Sequence, residues 1–219
     1  MANPTFVRAR SPEHKAERRE AIIAAAARLA RRDGVRAVSL GDIAAEVGIH
    51  KSALLRYFET REQIFLELTG RAWRDWAGGT ATTLGAVARE DDAAVATLLA
   101  ESFAGRPLLC DLIPHTALNL ERHASVDAVH AYKLTSLGAV ELVAVAVAEA
   151  LPSLGAESAR ELVSTLALLA GAMYQIATPP PPLAELYLSE PMLGHSLLDL
   201  PGRLERAASV TIRGLRSTR

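Results

Sequence analysis

The sequence predicts an all-α protein with a small N-terminal three-helix domain and a larger helical domain behind it. Apolar residues make up 50 % of the 219 residues and recur at helical spacing, with many alanines and only 5 % aromatics. Gly, Pro and N-cap residues divide the chain into helix-length segments. Strand-like alternation of β-branched and aromatic side chains is missing from the sequence. We place the domains at 1–60 and 61–219, with a flexible arm over residues 1–10.

Composition excludes several classes of protein. The single Cys110 cannot close a disulfide within the chain, which excludes a disulfide-stapled scaffold and favours a cytoplasmic location. The most apolar stretch, residues 140–151, is interrupted by Glu141 and Glu149 and is too short to cross a bilayer. The N-terminus has no apolar segment typical of a secretory signal. We therefore expect no membrane partner.

Charge is divided unevenly along the chain. Residues 1–60 carry 11 Lys and Arg against 7 Asp and Glu, a net charge of +4, whereas the remainder carries −5. A basic N-terminal domain on an acidic body indicates a polyanionic partner for the N-terminal domain alone.

Capping signals define the first two helices. Ser11-Pro12 opens the first helix, because Ser is a good N-cap and Pro suits the first helical position. Gly34 ends it, since the left-handed stop needs no Cβ. Ser39 caps a second helix, which Gly48 ends after about two turns.

A third short helix is predicted over Lys51–Tyr57, with Leu54 and Phe58 facing inward. Together with the second helix and the link Gly48-Ile49-His50 it forms a helix-turn-helix, in which glycine permits the sharp turn. The second helix of such a pair can enter a DNA major groove. Helical corners that contain glycine are common, so the motif alone only suggests DNA binding.

The body is predicted as helices with short links. Thr60 and Gln63 form a capping box at the start of the fourth helix, which Gly78-Gly79 is expected to end or kink. Pro114 is expected to interrupt the helix that Pro107 opens. The other predicted helices cover 92–104, 126–151, 157–178 and 203–215, with short pieces over 183–200.

The segment from Ile43 to Glu62, IAAEVGIHKSALLRYFETRE, resembles the signature of the tetracycline-repressor (TetR) family, roughly I-A-x-x-A-G-V-S-x-G-x-L-Y-x-H/Y-F-x-x-K-E. The match covers about residues 13–70, and the rest resembles the family in length and helical pattern. The resemblance implies a homodimeric, cytoplasmic transcriptional regulator, neither enzyme nor cofactor protein. We expect a repressor that binds a palindromic operator in double-stranded DNA and is released by a small, largely apolar effector.

The alternative is a helical ligand-binding or scaffolding protein whose helix-turn-helix no longer binds DNA. Leu55, Gly41 and the modest charge of +4 support it. The salt dependence of DNA binding distinguishes the two hypotheses.

The resemblance also assigns DNA contacts. Ser39 and Tyr57 match phosphate-binding positions, and Arg61 matches a basic residue that would grip the DNA backbone. The sequence departs from the family pattern in that His50 replaces Ser and Leu55 replaces Tyr. The predicted DNA contacts are Ser39, His50, Lys51, Ser52, Leu55, Arg56, Tyr57 and Arg61. Arg8 and Arg10 either reach a minor groove or belong to a disordered tail.

In the family the second domain encloses an effector pocket and pairs with its twin. Large or polar residues on the otherwise aliphatic helices are the candidate effector contacts: Trp73, Trp76, Phe103, Cys110, His115, Asn119, Met173 and Tyr174. The helices over 157–178 and 203–215 resemble the dimer-forming pair. An apolar stripe on the first of them is the candidate interface, with packing inside one chain as an equal alternative: Leu162, Leu166, Leu169, Met173 and Ile176.

Other chemistry has little support. The sequence contains no phosphate loop and no nucleophile elbow. Cys110 lacks a partner set for catalysis, and we expect a core or pocket thiol. Asp111 and His115 have metal-ligand spacing, but Pro114 lies between them, so we predict no metal site and favour an ordinary hydrogen bond.

Overall fold

A computed structural model describes residues 12–196 and 199–217, so the predicted arm with Arg8 and Arg10 lies outside the described residues. Within those ranges the chain has helices and no strand, and the all-α prediction is confirmed. The helices, with one π-helical and one 3₁₀ segment, are α1 (Pro12–Asp33), α2 (Leu40–Val47), α3 (Lys51–Leu54), α4 (Arg61–Leu84), α5 (Asp92–Ala104), α6 (Pro107–His115), a π-helical turn (Thr116–Leu120), α7 (Val126–Ala150), α8 (Ala156–Ala177), α9 (Pro181–Ser189), a 3₁₀ turn (Pro191–Ser196) and α10 (Leu200–Ser217).

The head comprises α1 to α3. The predicted N-cap of α1, Ser11, lies outside the described residues, whereas α2 is capped as the sequence predicts. The Ser39 hydroxyl accepts a hydrogen bond from the Asp42 amide at 3.2 Å, and the Asp42 carboxylate accepts one from the Ser39 amide at 2.8 Å. Gly48 ends α2 with φ +71°. The helix-turn-helix is therefore present, with the turn where the sequence places it.

Helix α3 is shorter than predicted. It ends at Leu54 rather than Tyr57, and the chain continues in turns that still bury Phe58 beside Leu54. The two inward-facing positions are thus confirmed although the helix between them is not. Burial of these side chains, rather than helix propensity, decides the path of this segment.

Two expected interruptions in the body are absent or displaced. Helix α4 runs through Gly78-Gly79 to Leu84, because its packing along α7 outweighs the weak helix propensity of glycine. Helix α6 passes Pro114 and ends at His115. A π-helical turn, Thr116–Leu120, follows α6, and in it the Glu121 amide donates to the Thr116 carbonyl at 3.0 Å.

The body is a layered helix bundle. Helix α7 packs along α4, α8 packs against α6, α7 and α10, and α10 packs against α5. Contrary to the sequence analysis, α7 is long and apolar enough to cross a bilayer by length and composition, and two bent helix pairs meet the same criterion. The inner face of α7, where Val143 and Val147 are fully buried, belongs to the core of the body.

Gly48 supplies a test of the turn. Gly48→Ala should lower the free energy of unfolding by about 1 kcal/mol, since an L side chain at this positive φ is strained. Gly78→Ala, inside α4 with open space around the new Cβ, should raise it by up to about 1 kcal/mol. Urea denaturation followed by circular dichroism measures both, and equal effects of the two variants would contradict the assigned turn.

Candidate nucleic-acid interface

The solvent side of α3 and its flanks presents a polar, basic edge. Lys51, Ser52, Leu55 and Arg56 are exposed, as is Ser39 at the start of α2. Leu55 is 46 % exposed, so an apolar side chain stands in the middle of this edge. The short α3 and its following turn hold Lys51, Ser52, Leu55 and Arg56 on the outer surface of the head.

His50 acts as the N-cap of α3, although histidine stands where the family pattern has serine. Its Nδ1 accepts a hydrogen bond from the Ser52 amide at 3.3 Å and lies 2.8 Å from the Ser52 hydroxyl. The imidazole therefore performs the capping that serine usually performs. Ser52 is tied to His50 as well as exposed to solvent.

A basic groove of about 750 Å³ lies beside this edge. The N-terminal half of α1 contributes Lys15 and Arg18, and the α3 side contributes Arg56 and the half-buried Tyr57. Sequence reasoning assigned no role to Lys15 and Arg18. Their three-residue spacing on one helix was the signal that could have found them.

Arg61 faces the interior of the head, although the sequence predicted a contact with DNA. Its guanidinium donates hydrogen bonds to the carbonyls of Val38 and Val35, pairs with Glu62 at 3.2 Å and lies 4.4 Å from the centre of the Phe65 ring. Only 18 % of the side chain is exposed. Its donors serve the turn between α1 and α2, which leaves little of the side chain for a DNA backbone.

Four candidate effector residues meet in the core of the body. Trp76 stacks on Phe103 at 4.6 Å and contacts Trp73 edge-on at 5.3 Å. The Cys110 thiol donates to the Phe103 carbonyl at 3.3 Å, and burial raises the pKa of Cys110 to about 12. A thiol with this pKa stays protonated at neutral pH, which does not suit a nucleophile.

The Trp indoles differ in their hydrogen bonding. Trp76 Nε1 donates to the Ser102 hydroxyl at 3.0 Å. Trp73 Nε1 is buried and has no partner among the described residues. A buried donor without an acceptor costs free energy, and an acceptor group on a bound molecule would relieve that cost.

The other four candidate effector residues lie on α6, on the π-helical turn and on α8. His115 Nε2 is 3.8 Å from the Asp111 carboxylate, and Asn119 Nδ2 is 3.5 Å from His115 Nδ1. Burial lowers the pKa of His115, which keeps the ring neutral at pH 7. Met173 and Tyr174 lie half-buried on α8, and burial raises the pKa of Tyr174.

Most of the predicted dimer stripe faces the chain's own core. Leu162 and Leu166 are fully buried, Leu169 and Met173 are half-buried, and Ile176 is the one of the five that is exposed. The physical reason is that this face of α8 packs against α6 and α7. For Leu162 and Leu166, the alternative of packing inside one chain describes the structure.

A second apolar surface, which shares only Ile176 with the predicted stripe, is exposed on α7 and α8. The Glu141 carboxylate on α7 accepts two hydrogen bonds from Arg160 on α8, at 2.7 and 2.9 Å, so the outer faces of the two helices adjoin. Large apolar side chains stand exposed on these faces: Leu134, Leu137, Leu142, Val145, Leu168 and Ile176. We refer to these six residues as the α7/α8 face.

Comparison with known proteins gives the same fold. Residues 22–68 match the model of bacterial regulatory proteins, tetR family, and residues 70–219 match the tetracyclin repressor-like C-terminal domain. No curated protein sequence matches the chain.

Solved structures with this fold include three of known description. The multidrug binding protein EbrR complexed with imidazole is 19 % identical over 90 % of this chain and 94 % of that one, with a TM-score of 0.58. A TetR transcriptional regulator from Rhodococcus sp. RHA1 is 16 % identical over 92 % and 97 %, with a TM-score of 0.54. The fatty acid degradation regulator FadR from Bacillus halodurans is 11 % identical over 87 % and 97 %, with a TM-score of 0.50.

The inward position of Arg61 makes a prediction about stability. Arg61→Met should lower the free energy of unfolding by about 2 kcal/mol or more, because two carbonyls lose a charged donor. Arg61→Lys should recover part of the loss, since an ammonium lacks the planar fork. The exposed Arg56→Met serves as the control and should change stability by less than about 0.5 kcal/mol. An Arg61→Met variant with natural stability in urea but weaker DNA binding would return Arg61 to the DNA contacts.

Proposed function

We propose that this chain is a cytoplasmic repressor. It belongs to the TetR family of bacterial regulatory proteins, and it is a regulator rather than an enzyme. In this proposal a homodimer binds a palindromic operator and leaves it when a small, largely apolar effector binds the body. The observation that carries the proposal is the exposed basic edge of α3 beside the basic groove of α1. We also propose that residues 1–60 form the DNA-binding domain and residues 61–219 the effector-binding and dimerisation domain.

Each side chain at the edge has a role that suits its chemistry. Lys51 and Arg56 can donate to guanine edges, and the Leu55 side chain suits contact with a thymine methyl group. Lys15 and Arg18 in the groove suit phosphates, which set the register of the protein on the duplex. Two heads related by a two-fold axis would then place their recognition helices in successive major grooves, about 34–36 Å apart.

We propose the α7/α8 face as the dimer interface; of the predicted stripe it retains only Ile176. Monomers rarely expose contiguous apolar patches of this kind, and the patch spans two adjoining helices. A two-fold interface is self-complementary, so each leucine of one protomer can pack on leucines of the other. The same contact explains why α7 is more apolar than a solvent-facing helix requires.

The proposed effector site is a buried aromatic cluster of the body with few polar groups. Trp73, Trp76 and Phe103 provide aromatic surface, and the unpartnered Trp73 Nε1 provides one hydrogen-bond donor. This chemistry suits a small aromatic or aliphatic molecule with one acceptor group. The names of two similar structures, a multidrug binding protein and a fatty acid degradation regulator, support a small organic effector. In our proposal the effector stabilises a dimer whose heads are spaced wrongly for DNA. It can do so only by binding that dimer more tightly than the DNA-binding one.

Selection of bound duplexes from a random DNA pool tests operator binding. The enriched sequence should be a palindrome. The protein's affinity for it should fall steeply with salt, since each neutralised phosphate adds about 0.9 to the slope of the logarithm of the binding constant against the logarithm of the salt concentration. Lys51→Ala combined with Arg56→Ala should weaken binding by about 100-fold or more, because each base contact contributes about 1–3 kcal/mol.

The matched control for this loss removes two exposed arginines of α10, Arg203→Ala with Arg213→Ala, and should leave affinity within about twofold. A folded dimer that enriches no sequence at low salt would contradict operator binding by the free protein. It would favour a helical ligand-binding protein with an idle head.

Charge at the proposed dimer interface should separate the protomers. Leu137→Glu with Leu168→Glu should give monomers at micromolar concentration in analytical ultracentrifugation, because association would bury unpaired carboxylates. Leu118→Glu, on the π-helical turn, is the matched control, since Leu118 is 66 % exposed and lies outside the α7/α8 face. If Val210→Glu on α10 gives monomers and the double variant stays dimeric, the interface lies on α10 instead.

A further inference from the structure

One carboxylate of the body holds the turn that joins α1 to α2. Oδ2 of Asp111, on α6, accepts a hydrogen bond from the Val35 amide at 2.8 Å. Oδ1 accepts one from Gln175 Nε2, on α8, at 2.9 Å. Only 13 % of the Asp111 side chain is exposed, and its bond to Val35 is partly buried, whereas its bond to the exposed Gln175 lies at the surface. A single side chain thus joins the head, α6 and α8.

The position of this turn sets the position of the DNA-contacting edge. Val35 and Val38 are buried in the head, and Ser39 directly after them begins α2. Helix α2 is capped at both ends, so a displacement of the turn passes to α2 and α3 as a unit. Arg61 holds the carbonyls of the turn from α4, whereas Asp111 holds an amide of the same turn from α6.

The other end of the bridge lies against the candidate effector residues. Cys110 precedes Asp111 and donates to the carbonyl of Phe103, which stacks on Trp76. Tyr174 directly precedes Gln175. Burial raises the pKa of Tyr174, and the negative charge of the Asp111 carboxylate raises it further, so Tyr174 lies near Asp111. A molecule that separates α6 from α8 would therefore pull Asp111 away from Gln175.

We propose that Asp111 is the positioning residue through which the state of the body reaches the head. With the bridge intact, the turn and α2 are held for DNA binding; with it broken, the turn is released from α6 and α8. This inference rests on the proposed function, because operator affinity is the consequence of the turn's position. Aspartate suits the role because its two oxygens accept both hydrogen bonds at once, while asparagine has one acceptor oxygen and alanine has none.

The first test needs no DNA and uses amide hydrogen exchange of the ¹⁵N-labelled full chain. Asp111→Ala should speed exchange of the Val35 amide by roughly tenfold or more, the size expected for loss of a hydrogen bond to a charged acceptor. Asp111→Asn should lie between, because its oxygen can still accept from Val35. If Asp111→Ala does not fold, Asp111→Asn and Gln175→Ala replace it in the test. Both should exchange the Val35 amide faster than the natural chain does, by less than the tenfold expected for Asp111→Ala.

Asp75→Asn is the matched control, because Asp75 is an exposed carboxylate on α4 for which no hydrogen bond or ion pair to another described residue is found. Its Val35 exchange should equal that of the natural chain. Unchanged Val35 exchange in the Asp111 variants would overturn the proposal.

The second test measures coupling with the duplex that the natural chain enriches from the random pool. Saturation with this duplex should slow exchange in the segment 168–178 of α8 as well as in the head, and Asp111→Ala should abolish the α8 effect while the head stays protected. Equal α8 protection in both proteins, or protection confined to the head in the natural chain, would overturn the proposal. If the natural chain binds no duplex, the proposed function fails, and Val35 exchange still decides whether Asp111 holds the turn.

Discussion

The architecture depends on how one five-residue turn, 34–38, is held. Gly34 adopts φ +82°, which lets the chain leave α1, and the side chains of Val35 and Val38 are buried in the head. Its polar backbone groups are then satisfied by side chains from elsewhere: Arg61 binds two carbonyls and Asp111 binds an amide. Because buried backbone groups need partners, these contacts fix the direction in which α2 leaves the turn.

The rest of the head follows from that direction. The Ser39 capping box and Gly48 give α2 defined ends, and His50 starts α3 at once. Arg19 fastens the far end of this segment, since its guanidinium donates to the Tyr57 carbonyl at 2.7 Å and lies 4.0 Å from the centre of the Phe58 ring. The basic edge is thus exposed on a rigid unit, which is what recognition of a duplex requires.

Local signals in the sequence carried most of the fold. Ser39, Asp42, Gly48 and Thr60 each act within a few residues of their own position, so their caps could be predicted from neighbours alone. The continuation of α6 through Pro114 could not, because tertiary packing decides whether a helix tolerates a proline. Gly78-Gly79 failed as a stop for the same reason.

The sequence predicts the DNA-binding and dimer residues less well where contacts between distant parts of the chain determine the position of a side chain. Arg61 has the residue type of a phosphate ligand, and only the fold shows that carbonyls 23 and 26 residues away take its donors. Leu162 and Leu166 have the spacing of an interface stripe, yet the same spacing describes the inner face of α8. An apolar stripe on a helix indicates that this face is buried. It does not indicate whether the face packs against the same chain or against a second one.

Footprinting with hydroxyl radicals on the enriched duplex tests the central claim most directly. If two basic edges of a dimer occupy successive major grooves, the two strands will show symmetric protected stretches. Their centres will lie about 10–10.5 base pairs apart, or at a multiple of that spacing. A single protected stretch without symmetry, or uniform cleavage with the protein bound, would contradict a dimer that reads two half-sites.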